Sequence, residues 1–82
     1  MGSSTLIEGR SYALQRGSDI IRDGMFLELH DRTDADGECL AEIFYSDQTN
    51  DMVFTAFKED LPLPAVEWLI AQARALLPPR AD

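Results

Sequence analysis

The sequence is short of several residue types on which common functions depend. It holds one cysteine, Cys39, and one histidine, His30, which excludes an internal disulfide and the usual cysteine- and histidine-rich zinc motifs. It has no glycine-rich phosphate-binding loop, and no apolar run approaches the roughly 18 residues of a membrane-spanning helix. These absences predict no cofactor, no metal and no membrane contact. They also favour a reducing, cytoplasmic location.

Basic residues are scarce as well. Seven Lys and Arg stand against fifteen Asp and Glu, which gives a formal net charge of −8. Such a chain repels nucleic-acid phosphates and anionic lipids, and it has few cations with which to release counterions. We therefore expect a protein partner with a basic surface rather than nucleic acid.

The chain has 82 residues, of which 45% are hydrophobic, and this suits one packed domain. Residues 1–4 (MGSS) and 7–10 (IEGR) resemble an expression leader and a protease recognition site. A vector origin and a native origin both stay open. We expect residues 1–10 to be flexible and residues 11–82 to form a single α+β domain. The N-terminus has no signal-peptide pattern.

Alternation of apolar and polar residues predicts a four-stranded antiparallel meander followed by one C-terminal helix, an α+β fold of order ββββα. The first hairpin is expected to turn at Asp23 and Gly24, because Asp-Gly suits a two-residue type I′ turn. This turn sets Ile21 opposite Phe26. The last strand is expected to run from Met52 through residue 57, after a polar turn.

Two registers satisfy the apolar pattern of the two central strands. One sets His30 opposite Glu38 and turns Cys39 toward the core. The other sets Glu28 directly opposite Glu42. Because like charges in opposed positions destabilise a sheet, the first register is the one we predict.

The C-terminal segment predicts an amphipathic helix. Residues 62–64 (PLP) suit its start and residues 78–79 (PP) its end. The apolar stripe follows i, i+3, i+4, i+7 spacing and consists of Val66, Leu69, Ile70, Ala73, Leu76 and Leu77. We expect its centre at Val66, Ile70, Ala73 and Leu77, which places Trp68 on the outer side.

One helix covers one face of a sheet, but both faces of this predicted sheet carry apolar residues. The face assigned to the core holds Ile20, Met25, Leu27, Leu29, Ala41, Ile43, Tyr45, Met52 and Phe54. The second face holds Ile21, Phe26, Leu40, Phe44, Val53 and Phe57 among Glu28, His30, Glu38 and Glu42. An apolar patch with a charged rim is typical of an interface, although the N-terminal segment or strand twist also accounts for it.

Enzyme and metal motifs find little support in the sequence. A Cys–His nucleophilic pair needs adjacent side chains, and the chosen register puts Cys39 and His30 on opposite faces. The acidic turn at residues 31–38 fails the calcium-loop pattern, because Arg32 and Ile43 fall at its first and twelfth ligand positions. Weak cation binding in this turn stays open. We do not expect an enzyme.

The order of four antiparallel strands and a C-terminal helix is similar to the dimeric coactivator domains that bind single-stranded DNA. That resemblance implies a basic, aromatic sheet face. Here Phe26, Phe44 and Phe57 are surrounded by carboxylates, and the arginines are scattered. A nucleic-acid-binding regulator is therefore the alternative, and an enzyme or enzyme subunit comes third.

The leading hypothesis is a small, acidic, bacterial-type protein-interaction module that acts by binding another protein. We expect a homodimer, and an inhibitor or immunity protein is the subclass that the acidity favours. The predicted contact residues are Phe26, Phe44, Phe57 and Trp68, with Glu28, Glu38 and Glu42 as a charged rim.

Overall fold

The computed structural model describes residues 4–34 and 36–77. Within them the chain forms five strands and one helix: β1 (Ser4–Ile7), β2 (Arg10–Asp19), β3 (Gly24–Asp31), β4 (Glu38–Ser46), β5 (Met52–Ala56) and α1 (Leu63–Leu76). The strands are antiparallel and neighbour one another in chain order. The predicted α+β class and the meander with a C-terminal helix are confirmed, although the sheet has five strands rather than four.

The additional strand, β1, lies in the segment that we expect to be flexible. It pairs with the start of β2, with Ile7 opposite Arg10. The tight turn between them has positive φ at both Glu8 (50°) and Gly9 (83°). This is the backbone that a type I′ turn requires, so the chain places that turn here and not at residues 23–24.

The predicted turn at Asp23 and Gly24 is wrong. Asp19 pairs with Gly24, and residues 20–23 form a longer loop. The Asp19 carboxylate accepts hydrogen bonds from the backbone N–H and the Nε of Arg22, at 3.0 and 2.6 Å, and these bonds hold the loop. Gly24 is instead the first residue of β3. Glycine is needed there because a Cβ would overlap the carbonyl oxygen of Tyr45.

The predicted register between β3 and β4 is also wrong. Glu28 lies directly opposite Glu42, the pairing that charge repulsion was expected to exclude. The guanidinium of Arg22 reaches across from the preceding loop and donates to both carboxylate oxygens of Glu42, at 3.2 and 2.9 Å. Glu28 is hydrogen-bonded to His30 instead. Each carboxylate thus has its own partner, and the repulsion no longer decides the register.

The core lies between α1 and the central strands. Of the residues assigned to it from the sequence, Leu27, Leu29, Ala41, Ile43 and Tyr45 are buried and Met25 packs against them. The others are exposed: Ile20 lies in the loop at residues 20–23, and Met52 and Phe54 lie on β5.

The helix is rotated slightly from the predicted orientation: Leu69 and Ala73 of the predicted stripe are buried, but Val66 and Ile70 are not. Its buried residues are Ala65, Leu69 and Ala73, so the true stripe is turned by about one residue from Val66 and Ile70. Small side chains let two elements approach closely, and the predicted stripe, which includes Ala73, omits Ala65. Trp68 is half-buried and packs against the core.

The predicted end of the helix at residues 78–79 lies outside the described residues. Across the part of the chain that the structure describes, no helix has the length and apolar character needed to cross a membrane.

Candidate functional site

A β-bulge in the middle of the sheet brings three metal-ligating residue types together. Leu29 pairs with Ala41 but His30 pairs with Cys39, so Leu40 is the extra residue on β4. A bulge interrupts the alternation of side chains, and here it puts Cys39 on the same face as His30. The ligand atoms of Glu28, His30 and Cys39 all lie within 4.8 Å of one another. The prediction that Cys39 and His30 occupy opposite faces is therefore wrong.

The hydrogen bonds within this Glu28–His30–Cys39 cluster do not activate the thiol. The Nε2 of His30 is 3.0 Å from a carboxylate oxygen of Glu28, while the Sγ of Cys39 donates to the carbonyl of Ala41 at 3.9 Å. Burial raises the pKa of the Cys39 thiol, and the negative charges of Glu28 and Glu42 raise it further. A nucleophilic cysteine needs the opposite shift and a base bonded to its sulfur.

Arg22 covers the other half of the same sheet face. Its guanidinium carbon lies 4.1 Å from the centroid of the Phe44 ring, and it binds Glu42 and Asp19 at the same time. The hydrogen bonds that Arg22 donates to Glu42 and then to Asp19 raise the pKa of Arg22. Glu42 and Phe44 are therefore covered by this chain's own loop.

An exposed apolar surface lies at β5, while Leu6, Ile20, Ile21 and Leu63 are exposed elsewhere. Every residue of this strand is exposed, and α1 packs on β3 and β4. Met52, Phe54 and the helix residue Ile70 are 37%, 45% and 37% exposed. They line a groove between β5 and α1 that continues past Phe57.

Among residues 4–34 and 36–77, none hydrogen-bonds to the outer backbone edge of β5. The hydrogen bonds from Ser46 N–H to the Asp51 carbonyl and from Phe57 N–H to the Leu40 carbonyl show which residues face β4. Because hydrogen-bonded and non-hydrogen-bonded positions alternate in an antiparallel pair, the backbone groups of the even-numbered residues point away from β4. These residues are Met52, Phe54 and Ala56.

The contact residues predicted from the sequence divide among three places. Phe26, Phe44, Glu28 and Glu42 share the sheet face of the cluster, where Phe26 lies over Gly17. Phe57 is exposed in the groove beside β5, and Trp68 packs against the core. Glu38 forms an ion pair with Lys58 at 2.9 Å.

The acidic turn at residues 31–38 uses its carboxylates internally at both ends. Asp31 binds Arg10 at 2.7 Å and also accepts from Thr33, and Glu38 is paired with Lys58. Partial burial alone would raise the pKa of Asp31, but the hydrogen bonds from Thr33 and Arg10 outweigh it and lower the pKa to about 2.

Sequence reasoning missed Met52 and Phe54 as surface residues and Cys39 as a member of a polar cluster. The position of β5 as the last strand of a meander was the available signal for the first, since a last strand has a free edge. Nothing in the alternation around residues 38–46 indicates the bulge.

No family model, curated protein or solved structure matches this chain. Its function must therefore be argued from its own geometry.

Proposed function

We propose that the protein is a protein-interaction module that forms a homodimer by pairing β5 with β5 of a second copy. The observation that carries this proposal is the outer edge of β5, with the free backbone groups of Met52, Phe54 and Ala56 beside an uncovered apolar groove. Adding a strand from another chain is a common way to satisfy such an edge.

The sequence of β5 matches itself in the antiparallel direction. A two-fold axis through Phe54 sets Met52 opposite the second copy's Ala56, Val53 opposite Thr55, and Phe54 opposite Phe54. No charge lies within β5, so this register buries none. Natural edge strands are usually protected by a lysine, a proline or a bulge. β5 contains no lysine and no proline.

The side chains support the same register as the backbone. The backbone N–H and C=O of Phe54 point away from β4, so Phe54 and Phe54 of the second copy would exchange two main-chain hydrogen bonds. A perpendicular two-fold axis keeps both helices on the same side of the joined sheet. The exposed strips formed by Met52, Phe54 and Ile70 would then meet at the axis and bury one another.

For a different protein partner, the acidic surface favours a basic contact face. Asp34 and Asp36 are exposed in the turn at residues 31–38, and the net charge is −8. Opposite charge speeds encounter between proteins, which is the property an inhibitor or immunity protein uses. A cytoplasmic location is part of this proposal, since the free Cys39 suits a reducing compartment.

Sedimentation equilibrium with a matched pair of variants tests the dimer. We expect wild type to show twice the 9.2 kDa mass of the chain. Phe54→Asp should give the single mass, because it sets two charges against each other at the axis. Leu6→Asp is the control, since Leu6 is 71% exposed on β1 at the opposite edge of the sheet, and it should stay dimeric.

Circular dichroism of both variants verifies that they fold. A wild-type monomer at the highest concentration reached would contradict the proposal. A Phe54→Asp dimer would do the same, because it would place the interface elsewhere.

A further inference from the structure

We propose that Glu28, His30 and Cys39 form a binding site for a divalent metal ion of the zinc type, with one coordination position left to solvent. The three residues supply a carboxylate oxygen, an imidazole nitrogen and a sulfur from two neighbouring strands. Three protein ligands and an open position are the arrangement of exchangeable or reactive zinc sites.

The distances between the ligand atoms suit a tetrahedral ion. Zinc binds nitrogen, oxygen and sulfur at about 2.0–2.3 Å, which puts its ligand atoms about 3.3–3.8 Å apart. The three atoms here already lie within 4.8 Å of one another. Rotation of the side chains would bring the ligand atoms the remaining distance of about 1 Å together and would leave the strands in place.

The backbone holds the ligands in position without a flexible loop. Glu28 and His30 are two residues apart on β3 and therefore share a face. Cys39 lies directly opposite His30 because of the bulge at Leu40. β3 and β4 are both paired along their two edges, so the three ligands are attached to the most constrained part of the sheet.

The charges around the cluster favour a cation. Glu28 and Glu42 both place negative charge at the sulfur of Cys39. Arg22, the cation on this face, already binds Glu42 and Asp19. A dication would offset the carboxylate of Glu28 and the thiolate that forms when Cys39 releases its proton on binding.

The mixed ligand set also indicates which metals fit. Thiolate and imidazole favour zinc and cobalt over magnesium and calcium, which take oxygen ligands. Glu28, His30 and Cys39 are each half-buried rather than sealed, so an ion can enter from solvent.

Cobalt titration of the reduced protein tests the site, because a thiolate bound to Co²⁺ gives a charge-transfer band. Cys39 and His30 are the only cysteine and the only histidine of the chain, so the spectrum has no competing source of either ligand. We expect one Co²⁺ per chain, with the band abolished by Zn²⁺ and absent in Cys39→Ser. His30→Gln and Glu28→Gln should each weaken binding about 10-fold or more.

Glu38→Gln is the matched control, since Glu38 is bound to Lys58 and should leave the titration unchanged. Absence of the band in folded wild type at millimolar Co²⁺ overturns the proposal. A band that His30→Gln and Glu28→Gln both leave intact also overturns it, because the ion would then be held by the thiolate alone.

Discussion

β4 and β5 are neighbours in one sheet, yet β4 is buried from Leu40 to Tyr45 while β5 is exposed along its whole length. β5 carries no charged residue whereas β4 carries Glu38 and Glu42, so their own sequences do not explain the contrast. β4 is paired on both edges, with α1 on one face and Arg22 on the other. β5 has one paired edge and lies beyond the helix. Burial of these two strands is therefore decided by how far α1 and the loop at residues 20–23 reach.

The largest effect should come from comparing two adjacent helix residues. Leu69 is fully buried, whereas Ile70 points toward β5 and is 37% exposed. Leu69→Ala should lower the free energy of unfolding by about 3 kcal/mol, and Ile70→Ala by less than about 1 kcal/mol. Urea unfolding measures both values in the Phe54→Asp background, where the protein is expected to be monomeric and no second copy buries Ile70. Equal losses, or a larger loss for Ile70→Ala, would mean that α1 covers β5 after all.

A smaller effect is expected from the ion pair that covers β4. Arg22→Ala leaves Glu42 buried beside Glu28 with no cation, so we expect a loss of about 1–2 kcal/mol in the free energy of unfolding. The double variant Arg22→Ala with Glu42→Gln should recover part of it. Lys58→Ala removes an exposed pair and should cost less than about 0.5 kcal/mol. If Lys58→Ala costs as much as Arg22→Ala, the register has another cause.

The smallest effect on the free energy of unfolding is expected at Asp31, the last residue of β3, which is followed by exposed residues. Its pKa is lowered to about 2 in the folded protein, against about 3.9 in an unfolded chain. The carboxylate therefore stabilises the fold fully above about pH 4 to 5, and this contribution is lost as pH falls through about 2. Asp31→Asn should cost about 1 kcal/mol at neutral pH.

Urea unfolding between pH 2 and pH 7 measures this difference. The difference in the free energy of unfolding between wild type and Asp31→Asn should become smaller as the pH is lowered. Asp34→Asn is the control, because Asp34 is exposed in the same turn, and it should change little. A gap that stays constant down to pH 2 would contradict the assigned role of Asp31.

The residue pattern predicted the strands and the helix better than it predicted how the strands pair with one another. Alternation located four of the five strands but missed β1, and it assigned residues such as Leu27 and Ile43 correctly to the core. The predicted turn at Asp23 and Gly24 and the predicted register of β3 with β4 failed because they depend on side chains that arrive from elsewhere: the Asp19 carboxylate holds the loop, and Arg22 neutralises Glu42. The position of Cys39 depends on a bulge, which leaves no trace in the alternation.

The sequence predicted that an apolar surface would remain uncovered, but not where that surface lies. An apolar surface in excess of what one helix covers was foreseen, but it was assigned to the second sheet face. In the structure Arg22 covers Phe44 on that face, and a group of exposed apolar residues lies along β5 and the adjoining groove. Deciding between the two surfaces requires the direction of α1 across the sheet, which a local pattern does not contain.

Amide hydrogen exchange along β5 tests the paired edge most directly. If two copies join at β5, the amides of Met52, Phe54 and Ala56 exchange slowly in concentrated protein and become faster on dilution or in Phe54→Asp. The amides of Val53 and Thr55 face β4 and should stay protected in both states. Rapid exchange at Met52, Phe54 and Ala56 at every concentration, with Val53 and Thr55 still protected, would contradict the account.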